Sequence, residues 1–130
     1  MLLLDTQTWI WAISAEKQLS AKAKKLIKKT PANQRAIASI SIWEFAMLCS
    51  RGSIHVKVTP EQWLDNAVHK TGIQVFDLSA QVALESCNLP GKFHKDPADR
   101  IIVATARIHN MNLVTKDQKI IDYPHVESVW

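Results

Sequence analysis

The sequence has little of what would place it outside the ordinary globular class. Its two cysteines, Cys49 and Cys87, lie far apart and form no C-x-x-C pair, which argues against a disulfide framework or a zinc site. Both read as small buried hydrophobes. Three glycines and five prolines stand singly, so no low-complexity tract, linker or disordered segment is expected. No apolar run approaches the eighteen or so residues of a membrane helix. The opening MLLLD has no basic region and no cleavage site, unlike a secretory leader. The expectation is a cytoplasmic protein with no membrane association, folded as a single domain over residues 1–130 and long enough to bury roughly two thirds of its unfolded surface. The net charge of +4 leans toward an acidic partner such as nucleic acid without deciding it.

Short apolar runs alternate with helical patterns. Leu2-Leu3-Leu4 reads as a buried strand that turns into a helix at Asp5 or Thr6, the candidate caps. Ser20 opens a helix to about Lys29, whose five lysines read as a solvated face. Ala36 to Ile40 reads as a second strand. Ser41-Ile42-Trp43-Glu44 then matches the S-x-x-E capping box of a helix running to Arg51 and closed by Gly52. Thr59-Pro60-Glu61 starts a helix to about Lys70, and Ile73 to Leu78 is a third strand. Ser79 starts a helix to Cys87. Asp96, a capping residue followed by Pro97 at the first helical position, starts a long apolar helix to about Asn110. Asn112 to Thr115 is a fourth strand, a short helix follows near Ile120, and Val126 to Trp130 adds an edge strand. Strands alternating with helices predict an α/β fold: a three-layer α/β/α sandwich around a mainly parallel sheet of four or five strands. Trp9, Trp11, Trp43 and Trp63 are read as core or interface residues.

In such sheets, sites form beyond the carboxyl ends of the strands. Among the twelve acids, Asp5, Glu44 and Asp117 stand where an apolar strand gives way to a helix. Asp99, with Asp96 beside it, begins the helix that leads into the strand ending near Asp117. Each has a capping explanation of its own, and Glu44 in particular can close the capping box. Jointly they predict a cluster of carboxylates at one edge, which cannot all stay ionised without a compensating cation. Hard oxygen donors, without thiolates and with no ligand spacing among His55, His69, His94, His109 and His125, favour Mg²⁺ or Mn²⁺ over zinc. A metal held this way suits chemistry on phosphates.

LLLDTQTWIW at 2–11, ASISIWEFA at 38–46, DPADRIIVATA at 96–106 and LVTKD at 113–117 together resemble the PIN-domain ribonucleases, specifically the VapC-type toxins of type II toxin-antitoxin systems. The resemblance covers nearly the whole chain. It implies a PIN-like fold, Mg²⁺- or Mn²⁺-dependent hydrolysis of RNA phosphodiesters by a metal-activated water, homodimerisation, and neutralisation by a small cognate antitoxin. The family's four acidic positions fall on Asp5, Glu44, Asp99 and Asp117, with Asp5 and Asp99 the first choices for direct metal ligands and Asp96 an accessory acid. Thr6, Ser39 and Thr115 are candidates to orient carboxylates or water. Arg100 and Lys116 are candidates for phosphate oxygens. Gln7 departs from the histidine common in relatives, a change expected to alter local hydrogen bonding.

Three rivals remain open on sequence. A haloacid-dehalogenase-like phosphatase needs D-x-D-x-T, and Gln7 stands where the second aspartate belongs. A response-regulator receiver needs paired acids after the first strand; Asp77 is available as its phosphorylated aspartate, but Asp5 has no acidic neighbour. A catalytically inactive PIN fold that holds RNA or protein without cutting would not need all four acids.

Overall fold

The computed structural model describes residues 1–130. Five strands, β1 (Leu2–Leu4), β2 (Arg35–Ala38), β3 (Gln74–Phe76), β4 (Asn112–Val114) and β5 (Ser128–Val129), form one sheet in the order β3-β2-β1-β4-β5. Every pairing is parallel, which bears out the three-layer α/β expectation. Seven helices cover it: α1 (Thr6–Ser14), α2 (Ala21–Lys29), α3 (Ile40–Ser50), α4 (Pro60–Leu64), α5 (Ala80–Cys87), α6 (Pro97–Ile108) and α7 (Gln118–Ile121).

The strands are short and apolar because both faces are covered. The two-residue period of the strand sorts neighbouring side chains into two cores. Leu3, Ala36, Ala38 and Leu113 join Ile102, Val103 and Ala106 of α6 on one side. Leu2, Leu4, Ile37 and Val114 join Trp9 and Ile10 of α1, Ala23 and Ile27 of α2, and Phe45 of α3 on the other. In that second core Phe45 stacks on Trp63 at 4.1 Å between centroids, and Trp9 meets Trp63 edge-on at 5.1 Å. The Trp63 indole N–H donates to Ser14 Oγ at 2.7 Å.

Several local readings need correction. The Ser41 capping box does not form: α3 begins at Ile40, two residues before the start that a Ser41 cap would set, and its cap residue Ser39 makes no side-chain bond. Ile40 packs into the α6 side of the core while Ser41 is fully buried, so packing rather than capping sets where the helix starts. The capping box that does form is at α4, where Thr59 and Gln62 bond each other's backbone reciprocally. Beyond α4 the chain widens into a π-helical stretch, Asp65–Lys70, instead of continuing as a regular helix. Cys87 is exposed and Cys49 only partly buried, so neither is a core residue. Trp9 and Trp63 are core as expected, whereas Trp43 is 59% exposed.

Candidate metal centre

The strand order reverses around β1: β2 and β3 lie to one side of it, β4 and β5 to the other. A crevice is expected at the carboxyl ends of β1 and β4, and a cleft of about 380 Å³ lies there, lined by Asp5, Thr6, Gln7, Trp11, Glu44, Asp99, Ile102, Lys116 and Asp117. All four acids singled out in the sequence therefore share one cleft.

Each is anchored by a different local device. Asp5 follows β1 and caps α1, its Oδ1 accepting the Thr8 N–H at 2.8 Å, while Oδ2 accepts from the Thr115 hydroxyl. Glu44 projects from α3, and its Oε1 accepts from the Thr6 hydroxyl, which also bonds Ser41 Oγ at 2.9 Å. Asp99 sits in the first turn of α6, its Oδ2 2.7 Å from His94 Nε2. Asp117 caps α7 by accepting the Lys119 N–H on Oδ1 at 3.0 Å. Glu44, Asp99 and Asp117 thus each have one oxygen fastened to the protein and the other free of any protein hydrogen bond.

Burial raises the Asp5, Glu44 and Asp99 carboxyls above their ordinary range, because a desolvated carboxylate loses hydration. The Thr115, Thr6 and His94 hydrogen bonds pull the other way, and the acids then push one another up: Asp117 acts on Asp5 and Asp99, while Asp99, Asp96 and Asp5 act on Glu44. The side chains stop short of a closed cage, since no three acidic, histidine or cysteine groups are drawn together to the spacing of a preformed ion site. A mutually repelling set of carboxylates with free oxygens fits a hard divalent cation that completes its shell with water.

The accessory residues divide. Thr6 and Thr115 hydrogen-bond acids of the cleft, Glu44 and Asp5 respectively. Ser39 does not: it bonds Phe76 O through its backbone N–H, and the α3 hydroxyl that reaches the cluster is Ser41. Asp96 caps α6 through Asp99 N–H at 3.0 Å and lines a neighbouring groove beside Trp43. Lys116 lines the cleft, exposed, with its Nζ 5.7 Å above the Trp11 ring. The Arg100 guanidinium is not offered to the cleft: Nε donates to Ser86 O at 2.8 Å, and Nη1 to Phe93 O at 3.1 Å and His94 O at 3.2 Å. His94 is the histidine nearest the acids in sequence but has no ligand spacing to mark a role; the fold of the segment before α6 brings its Nε2 to Asp99. Gln7 lines the cleft without supplying a carboxylate, and Asp77 lies exposed after β3 outside it, which removes the geometric basis of the phosphatase and receiver readings.

The PIN domain family model matches residues 2–126. Ribonuclease VapC22 of Mycobacterium tuberculosis is 32% identical over 128 residues, covering 98% of this chain and 95% of that protein. Among solved structures, a toxin-antitoxin complex from Klebsiella pneumoniae superposes with a TM-score of 0.70 at 23% identity, covering 100% of this chain and 97% of the other. DNA-bound VapBC from Salmonella typhimurium superposes with a TM-score of 0.72 at 18% identity, covering 98% and 96%. The resemblance first carried by four short motifs thus extends along nearly the entire sequence and to the fold, and the chain belongs to the PIN-domain family.

Proposed function

We propose that this protein is a divalent-metal-dependent ribonuclease, acting as the toxin of a toxin-antitoxin pair. The observation that carries the reading is the shared cleft in which Glu44, Asp99 and Asp117 each keep one carboxylate oxygen anchored and one free, with Asp5 lining the same cleft. Asp5, Glu44, Asp99 and Asp117 would hold Mg²⁺, or Mn²⁺ in its place. When bound, the metal supplies an activated water and charge stabilisation on the phosphodiester oxygens. Thr115 and Thr6 keep Asp5 and Glu44 oriented. Lys116, the one cation lining the cleft, meets a phosphate oxygen of the RNA backbone, offsetting the repulsion between an acidic cleft and a polyanion.

The likeness to a ribonuclease of 32% identity supports RNA as substrate. The toxin-antitoxin complex among the structural neighbours supports an antitoxin as partner; a cytoplasmic homodimer is the state we propose for the toxin itself. The test is cleavage of RNA by the purified chain with and without Mg²⁺ or Mn²⁺, beside Asp5→Asn and Asp99→Asn variants shown to be folded. The expected result is metal-dependent cleavage in the parent chain and its loss in both variants. Cleavage at an undiminished rate in the variants overturns the site; no cleavage by the parent chain of any RNA in a total cellular pool overturns the activity.

A further inference from the structure

The sequence places Arg100 beside Asp99, where a phosphate contact is the natural expectation, yet its side chain turns into the protein. Its three acceptors are all neutral backbone carbonyls, those of Ser86, Phe93 and His94, and no carboxylate pairs with it. Such a guanidinium acts as a clamp. It fastens the segment between α5 and α6, which has no helix or strand to hold it, to both helices at once.

That segment carries His94, whose Nε2 lies 2.7 Å from Asp99 Oδ2. The imidazole packs against Phe93 at 4.2 Å between centroids, and Phe93 packs in turn on Tyr123 at 4.9 Å. The Tyr123 hydroxyl donates to Pro90 O, closing the loop from its other end. The helix fixes the Cα of Asp99 but leaves its side-chain torsions free. Beside the like charges of Asp96 and Asp117, an untethered carboxylate would swing toward solvent, away from its neighbours.

We propose that Arg100 and His94 form a positioning relay: Arg100 clamps the 89–96 segment, and His94 thereby pins Asp99 Oδ2 so that Oδ1 stays directed at the metal site. This rests on the reading of the cleft as a divalent-cation site. It makes both residues positioning groups, with Arg100 serving the reaction through the backbone and without touching RNA. Hydrogen-bond partners behind metal-binding carboxylates are typically worth about 10–100-fold in metal affinity.

The experiment is Mn²⁺ titration of the full chain, followed by the electron paramagnetic resonance signal of free Mn²⁺, for the parent, His94→Ala, His94→Gln, Arg100→Lys and the double variant His94→Ala/Arg100→Lys. His94→Ala is expected to weaken Mn²⁺ binding by about 10–100-fold. His94→Gln, whose amide N–H reaches the position of Nε2, is expected to retain most of the affinity. Arg100→Lys, which cannot hold three carbonyls in one plane, weakens binding, and adding it to His94→Ala gives little further loss, since residues acting through one contact are not additive. Equal affinity in the parent and His94→Ala overturns the relay. Fully additive losses overturn the part assigned to Arg100. If Arg100→Lys fails to fold, the His94→Ala and His94→Gln pair still decides whether the pin on Asp99 exists. A parent chain that binds no Mn²⁺ removes the metal reading and the relay with it.

Discussion

Thr115 and Asp5 lie 110 residues apart in the chain, and the hydroxyl of one donates to the carboxylate of the other at the buried end of β1 and β4. The same Thr115 oxygen accepts the backbone N–H of Asp117 at 3.0 Å. One side chain therefore couples two of the four acids across neighbouring strands.

Thr115→Val keeps the shape of this fully buried residue and removes both bonds. Leaving the Asp117 N–H and Asp5 Oδ2 without this partner is expected to lower stability by about 1–3 kcal/mol and to weaken Mn²⁺ binding by about 10–100-fold. Urea unfolding and metal titration measure the two effects separately. Unchanged metal affinity would show that Asp5 needs no such support.

The raised carboxyls of Asp5, Glu44 and Asp99 fix the sign of a pH effect. An unfolded carboxyl titrates near about pH 4, and the folded groups release their protons at higher pH. Over that window the native state binds more protons than the unfolded one, so the metal-free protein loses stability as pH rises through the folded values. A divalent cation that binds the ionised native state would add about 2.7 kcal/mol when present at 100 times its dissociation constant. Thermal melts without metal are expected to fall as the pH is raised from about pH 4 through the raised carboxyls, and the upward shift on adding Mg²⁺ to be larger at a higher pH than at a lower one. Equal Mg²⁺ shifts at both pH values would argue against coupling to these acids.

Lys116→Gln removes the cleft's exposed cation and leaves the buried packing as it is. Stability is expected to stay within about 0.5 kcal/mol. Binding of single-stranded RNA, measured on the non-cleaving Asp99→Asn background, should weaken, with the slope of log affinity against log salt falling by about 0.7 when one phosphate fewer is neutralised. An unchanged slope would show that Lys116 stays on Trp11 when RNA binds.

Phe45→Ala tests how far the aromatic core supports the site. Phe45 is fully buried, stacked on Trp63, and adjacent to Glu44 on α3. Loss of the ring is expected to cost about 3–5 kcal/mol in urea unfolding. A change below about 1 kcal/mol would mean that the neighbouring side chains collapse into the space.

Much of this was legible in one dimension. The alternation of apolar runs with helical patterns led to the parallel sheet, and acids placed just after such runs led to Asp5, Glu44 and Asp117, because a strand that ends in a helix cap puts its acid at the sheet's carboxyl edge whatever the rest of the chain does. Asp96 and Pro97 marked the start of α6 for the same local reason. Where two local rules competed, sequence reasoning failed. Ser41 and Glu44 satisfied the capping-box spacing, yet burial of Ile40 and Ser41 started α3 earlier and turned Glu44 toward Thr6.

The sequence by itself determined the sheet, its helices and the four acids that gather at one edge, since each follows from patterns within a dozen or so residues. The tertiary structure alone decided which groups stand behind those acids. Ser41 rather than Ser39 reaches the cluster, Arg100 clamps a loop instead of facing the cleft, and His94 meets Asp99. Side-chain direction depends on what packs against each residue from distant segments, and local spacing carries no record of that.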